Sequence, residues 1–344
     1  MRTLEELPVP EIARPRAPRP ATARTGAAVL LALAAIPVIV RLAQPQRAAW
    51  VQAAFIIFGS LLIQALPFVA IGAFTSALIE VLVPIGTLER LARLPRPLQL
   101  PAAALAGLAM PICECGSVPV ARRLALKGLL PSAAITFMLA APIVNPVVIA
   151  STFVAYRGRQ ALWLMVGGRF LLGALVAIVA GWTVGAISRE ELLREGPTEE
   201  HVHAVELGRP EPRWRRFFVH LGGDFLFMGR YLVLGAALAA LVQTFLPAPW
   251  ISRVAGTPVL GIAVMMVLAA LLSLCSESDA FVAASFAPFG PAPQLAFLVF
   301  GPMVDLKLTT LYAGTFRSGL VRTIIVASFA TTLVAAMWLQ VLSG

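Results

Sequence analysis

Long apolar runs constrain this chain more than any other feature. Trp50 to Pro84 is one, with Gln64 and Glu80 as its polar interruptions and Pro67 as an expected kink. Comparable runs follow at Pro131–Ala155, Gln160–Ile187, Phe217–Pro247, Pro293–Tyr312 and Leu320–Leu342. Each reaches the roughly 20 residues that a helix needs to cross a bilayer's hydrocarbon. Lipid offers backbone groups no partner, so apolar spans fold as helices that bond internally. Composition agrees: 13% of residues are charged, against about 25% in soluble domains. The expected fold class is an all-α polytopic membrane protein.

The net charge of +10 does not point to nucleic acid. Its arginines sit mostly in the arm and loops, with no interleaved aromatic surface for stacking bases. In a membrane protein such charge sets orientation and meets anionic headgroups. Residues 1–25 carry Arg2, Arg14, Arg16, Arg19 and Arg24 among prolines and read as a disordered cytoplasmic arm. Residues 26–48 read as an extra N-terminal transmembrane helix, and no signal peptide is expected.

Leu98–Pro111 and Val118–Leu130 are too short to cross. Arg90, Arg93 and Arg96 precede them, and Arg122, Arg123 and Lys127 end the second. The positive-inside rule puts both basic clusters on one side, so residues 98–130 read as a re-entrant hairpin. Arg122 and Arg123 are expected to face headgroups or water. Between the two short segments lies Met110 to Pro119, Met-Pro-Ile-Cys-Glu-Cys-Gly-Ser-Val-Pro, expected to be unwound. A second polar turn, Cys275-Ser276-Glu277-Ser278-Asp279, lies between Val259–Leu274 and Ala280–Phe289.

These features form one pattern used twice. Gly72 and Pro84 recur 163 residues on as Gly235 and Pro247. Cys113, Gly128 and Pro131 recur 162 on as Cys275, Gly290 and Pro293; Pro142 and Asn145 recur 160 on as Pro302 and Asp305. The unit, three crossings and one hairpin, covers 49–187 and again 214–344, joined by a cytoplasmic linker at 188–213. An odd number of crossings inverts the second copy, the arrangement of many secondary transporters.

Polar groups at membrane depth are functional candidates. Thiols are soft ligands for thiophilic metals and metalloids, so Cys113, Cys115 and Cys275 are candidate substrate ligands, although a buried cysteine is also an ordinary small apolar residue. Glu114, Gly116, Ser276 and Ser278 accompany them. Free thiols are expected. Glu277 is the first choice for proton coupling. Asp279 is equally a helix cap. Asn145 and Asp305 sit at matching helix breaks, where they contact substrate or a coupling ion, or satisfy freed carbonyls. Lys307 neutralises Asp305 or snorkels to the interface. Asp224 and Arg230 read as a structural or interfacial pair. His201 and His203 read as solvated linker residues, no metal site is assigned, and no cofactor is expected.

Four motifs in order, Pro111–Pro119, Ala140-Ala141-Pro142-Ile143-Val144-Asn145-Pro146, Cys275–Ala280 and Gly301-Pro302-Met303-Val304-Asp305-Leu306-Lys307, resemble the YraQ-like predicted permease family, which includes the ArsP-type organoarsenical efflux permeases. The resemblance spans roughly residues 50–342. It implies an inner-membrane permease and, for the ArsP-type members, export of trivalent organoarsenicals with Cys113, Cys115 and Cys275 as ligands here.

The expected function is therefore transport, not catalysis: outward movement of a small thiophilic or anionic solute by proton antiport. Its partners are a small-molecule substrate and the lipid bilayer, with a second copy of the chain as a candidate and nucleic acid excluded. Two alternatives remain at this level: a thiol-disulfide oxidoreductase cycling Cys113 and Cys115, and an uncoupled channel.

Overall fold

A computed structural model describes residues 49–83, 95–110, 112–185, 192, 212–245 and 258–343. The N-terminal arm, the extra first helix and nearly all of the 188–213 linker, His201 and His203 included, lie outside the described residues. The chain divides into two units, Met1–Gln52 and Ala53–Gly344, and the architecture below is that of the second.

The helices are α1 (Ala49–Leu82), α2 (Arg96–Leu105), α3 (Glu114–Leu126), α4 (Pro131–Val144), α5 (Pro146–Ala155), α6 (Leu162–Val184), α7 (Arg213–Phe245), α8 (Pro258–Leu272), α9 (Asp279–Ser285), α10 (Pro291–Phe300), α11 (Leu306–Thr315) and α12 (Ser318–Ser343). α1 runs through Pro67 without a break. A short 3₁₀ turn, Ala106–Leu108, extends α2. Prolines set several starts: α2, α4, α5 and α10 each carry one in the first turn, where its missing N–H costs nothing. Among the described residues five segments are long and apolar enough to cross a membrane: Trp50–Leu82, Pro131–Ala155, Leu162–Val184, Arg213–Phe245 and Ser318–Leu342. The expected crossing at Pro293–Tyr312 is two ten-residue helices, α10 and α11, separated at Gly301–Asp305.

Among the described residues six helices, α1–α6, precede the linker and six, α7–α12, follow it. Within the first half α2, α3 and α6 pack on α4, with α2 and α5 on α6; within the second α8, α9 and α12 pack on α10, with α8 and α11 on α12. Across the halves α3 packs on α11, α5 on α9, and α6 on α12. Exchanging the halves maps each of these contacts onto another or onto itself. α6 against α10, α7 against α11, α7 against α8 and α4 against α5 depart from that exchange.

Every residue of α4 is buried, so this helix is the core of its half. The outer helices show the opposite distribution. Ile56, Ile63, Trp163, Leu171, Leu226, Trp338 and Val341 are all exposed. An apolar exterior of this extent suits lipid and not water.

Close seams rest on glycines. A Cβ on Gly72 would collide with Gly116 Cα, joining α1 to α3. A Cβ on Gly235 would lie 2.7 Å from Lys307 Cα, joining α7 to α11. Small residues permit this approach, which supplies van der Waals contact where lipid gives no hydrophobic drive. Gly116 therefore does not interrupt a helix, as its sequence context implied. It lies inside α3 and lets α1 touch it.

Candidate functional site

The Cys113 segment is less unwound than expected. Cys113 is the extended N-cap of α3, Glu114 is the first helical residue, and Cys115, Gly116 and Ser117 continue the helix. Ser117 folds its hydroxyl back on Glu114 O at 2.9 Å and caps nothing. A carboxylate in the first turn complements the helix dipole, which favours starting at Glu114. The second turn is tighter: Ser278 N and Asp279 N both bond Cys275 O, at 2.9 and 3.0 Å, before α9 begins.

The two segments meet. Ser276 Oγ donates to Glu114 Oε2 at 3.0 Å, and Ser276 N approaches the same oxygen at 3.4 Å. Cys275 Sγ donates to Glu277 Oε2 at 2.8 Å. Lys307 Nζ, buried and not at an interface, lies 3.7 Å from Glu114 Oε1 and 3.6 Å from Asp305 Oδ2. Cys113, Glu114, Cys115, Cys275 and Lys307 line one cavity with Leu61, Gln64, Ala65 and Phe68 of α1, with a free volume of about 10 Å³, room for about one water. All three cysteines are free and buried.

Asp279 is not a cap. It pairs with Arg169 of α6, whose Nη2 donates to Asp279 Oδ2 at 2.7 Å and to Ser276 O at 3.0 Å. Arg169 Nη1 also donates to Thr152 Oγ1 of α5 at 2.9 Å. This guanidinium is only 1% exposed, and its fork ties three elements together. Sequence reasoning missed it, although a lone charge inside the run Leu162–Val184 was a signal. Ser278 stays local: its hydroxyl bonds Cys275 O at 3.1 Å.

Asn145 and Asp305 play matching parts. Asn145 Oδ1 accepts from Val147 N at 2.9 Å and caps α5; Asp305 Oδ1 accepts from Leu308 N and caps α11 at 2.6 Å. Asn145 thus satisfies an amide through Oδ1. Asp305 also reaches the site through Lys307.

A second buried network joins α1, α3 and α7. Arg123 contacts Glu80 at 3.4 Å, Asp224 at 3.2 Å and His220 Nδ1 at 3.1 Å. Lys127 lies 3.1 Å from Glu80, and Ser76 donates to Asp224 at 2.7 Å. Arg123 therefore does not face headgroups or water, and Asp224 pairs with it instead of Arg230. Arg230 lies over the rings of Phe227 and Tyr231. Successive helical residues point about 100° apart, which separates buried Arg123 from Arg122, placed over Phe227.

An all-α bundle with apolar spans, an apolar exterior and polar residues gathered at broken helices defines a polytopic membrane protein with a buried polar site. A family model described as a predicted permease, ArsP_1, matches residues 51–341, and the chain belongs to that family. It is similar to the UPF0718 protein YcgR of Bacillus subtilis, 37% identical over 76% of this chain and 88% of that protein. It is also similar to a Streptococcus mutans protein described as a putative two-component membrane permease complex subunit, 34% identical over 76% of this chain and 86% of that one. No solved structure matches.

Proposed function

We propose that this chain is an inner-membrane secondary transporter that exports a small thiophilic or anionic solute by proton antiport, with trivalent organoarsenicals as the foremost class. The observation that carries this reading is the convergence of Cys113, Cys115, Cys275, Glu114 and Lys307 on one cavity between the halves. Thiols bind soft centres, and Lys307 offers an anionic group a counter-charge. The exchange of helix pairs between halves supports two inverted repeats, 49–187 and 214–344, with the cavity at their junction.

Among the proton-coupling candidates, Asp279 is held by Arg169 and Glu277 by the Cys275 thiol. Asp305 keeps Oδ2 without a hydrogen bond while Oδ1 caps α11, so it can take a proton without losing its cap. The description of the Streptococcus relative supports a second subunit as partner. The test is organoarsenical resistance and everted-vesicle uptake in a sensitive bacterium. Protection by the wild type, lost in Cys113→Ser/Cys115→Ser and on collapsing the proton gradient, is expected. Equal protection by that variant would refute the thiol role.

A further inference from the structure

One wall of the cavity has a composition that thiol binding alone does not explain. Glu114, Cys275 and Glu277 place one donor atom each, two carboxylate oxygens and a sulfur, within 4.8 Å of one another. Ligands at bond lengths of about 2.0–2.3 Å around zinc sit only about 3.3–3.8 Å apart. A modest contraction of these side chains would therefore close the set. An independent observation points the same way. Glu114 is 1% exposed, lines the cavity, and its Oε1 has no hydrogen bond. Its positive neighbour, Lys307 Nζ, stands off at 3.7 Å, beyond hydrogen-bonding reach, and a buried carboxylate oxygen left without a hydrogen bond is costly.

Charge supports this. Glu114 and Asp305 both approach one ammonium, Lys307, and Glu277 adds a third carboxylate beside Glu114 and Cys275, a formal excess of two negative charges. Arg169 is committed to Asp279 and does not offset them. A divalent cation balances the two excess carboxylate charges, and the thiolate formed on binding leaves one further negative charge. The single sulfur selects a borderline or soft ion over magnesium or calcium, which prefer all-oxygen shells. One thiol beside two carboxylates also differs from the several thiolates that a trivalent arsenical requires.

We infer that Glu114, Cys275 and Glu277 form a binding site for a soft divalent cation of the zinc class, with Lys307 as a resident counter-cation. In the empty site Lys307 stands between Glu114 Oε1 and Asp305 Oδ2. Binding gives Glu114 to the ion and leaves Lys307 to Asp305. The Cys275 Sγ–H bond is replaced by a sulfur–metal bond, and its proton leaves to water. Water completes the coordination shell. The inference rests on the permease reading only in treating the ion as cargo; the site itself rests on the donor set.

The test is equilibrium cadmium binding to the purified full-length chain, read by the sulfur-to-cadmium charge-transfer absorption and by X-ray absorption at the metal edge. One ion per chain is expected, with one sulfur and otherwise oxygen neighbours. Cys275→Ser should lose the charge-transfer band and Cys113→Ser/Cys115→Ser should keep it. Glu277→Gln should weaken binding by about 100-fold, at least the loss that outer-shell changes produce. Lys307→Met should tighten binding by roughly tenfold, within the usual range for coupled sites; a purely structural lysine would not. Absence of saturable binding, two or more sulfurs in the wild-type shell, or a band that survives Cys275→Ser would overturn the inference, and the wild-type spectrum decides even if a variant fails to fold. Organoarsenical export without cadmium binding would overturn this site alone. Cadmium binding without organoarsenical export would leave it standing and overturn the proposed substrate class.

Discussion

Arg169 and Asp279 form a buried ion pair at 2.7 Å between α6 and the start of α9, so the two halves share a charge pair that neither could satisfy alone. Breaking a buried pair from one side leaves an uncompensated charge, at a cost of about 3–5 kcal/mol. Arg169→Met should therefore lower the denaturation midpoint of the purified protein severely. Arg169→Met/Asp279→Leu should recover much of the loss. Equal damage from both would mean that the bonds to Thr152 and Ser276 O, and not the charge pair, hold this junction.

The glycine seams make a contrast between positions. Gly72→Ala drives a methyl into backbone at Gly116, and overpacking of this kind costs about 1–3 kcal/mol. Gly235→Ala should behave alike against Lys307 Cα. Gly59→Ala, on the same helix as Gly72, meets nothing within 4 Å and should leave thermal stability unchanged or raised. Melting curves of the three variants compare them directly.

The two matching caps separate under substitution. Asn145→Ala removes an N-cap worth about 1 kcal/mol and should lower stability by that order. Asp305→Asn keeps an acceptor for Leu308 N and should retain the cap of α11 while removing the charge beside Lys307. Near-wild-type stability with loss of gradient-driven export is expected. Full export by Asp305→Asn in vesicles would exclude this residue as the proton carrier.

Arg123 and Asp224 should be energetically coupled. In a double-mutant cycle with Arg123→Met and Asp224→Leu, residues within one buried network show coupling of about 0.5–3 kcal/mol. The same cycle on Arg230 and Asp224 should give a coupling near zero, because Arg230 lies over aromatic rings instead. Denaturation in detergent reports both.

The helices were legible because bilayer thickness fixes apolar length, and Pro131 and Pro146 mark starts that any chain would respect. The two polar turns were legible because acids and thiols are conspicuous among alanine, leucine and valine. Less visible was the direction in which each polar side chain points. Arg122 and Arg123 read as one basic patch, yet the helix turns only the second toward Glu80 and Asp224. Asp279 resembled a cap by type, but it found Arg169. Those outcomes depend on partners more than 40 residues away in sequence, which no local spacing encodes. The donor set of Glu114, Cys275 and Glu277 was hidden for the same reason, since it assembles only when the halves meet.

α1 supplies Leu61, Gln64, Ala65 and Phe68 to the cavity while Ile56, Ile63 and Ile71 of the same helix face outward. On this flank, a partition about 10 Å thick, the girth of one helix with its side chains, separates the thiols from hydrocarbon. Leaning that helix outward would unseal the chamber laterally, whereas α4, enclosed on every side, would have to drag its neighbours along. A greasy solute would then have a doorway through the membrane's interior as well as its two faces.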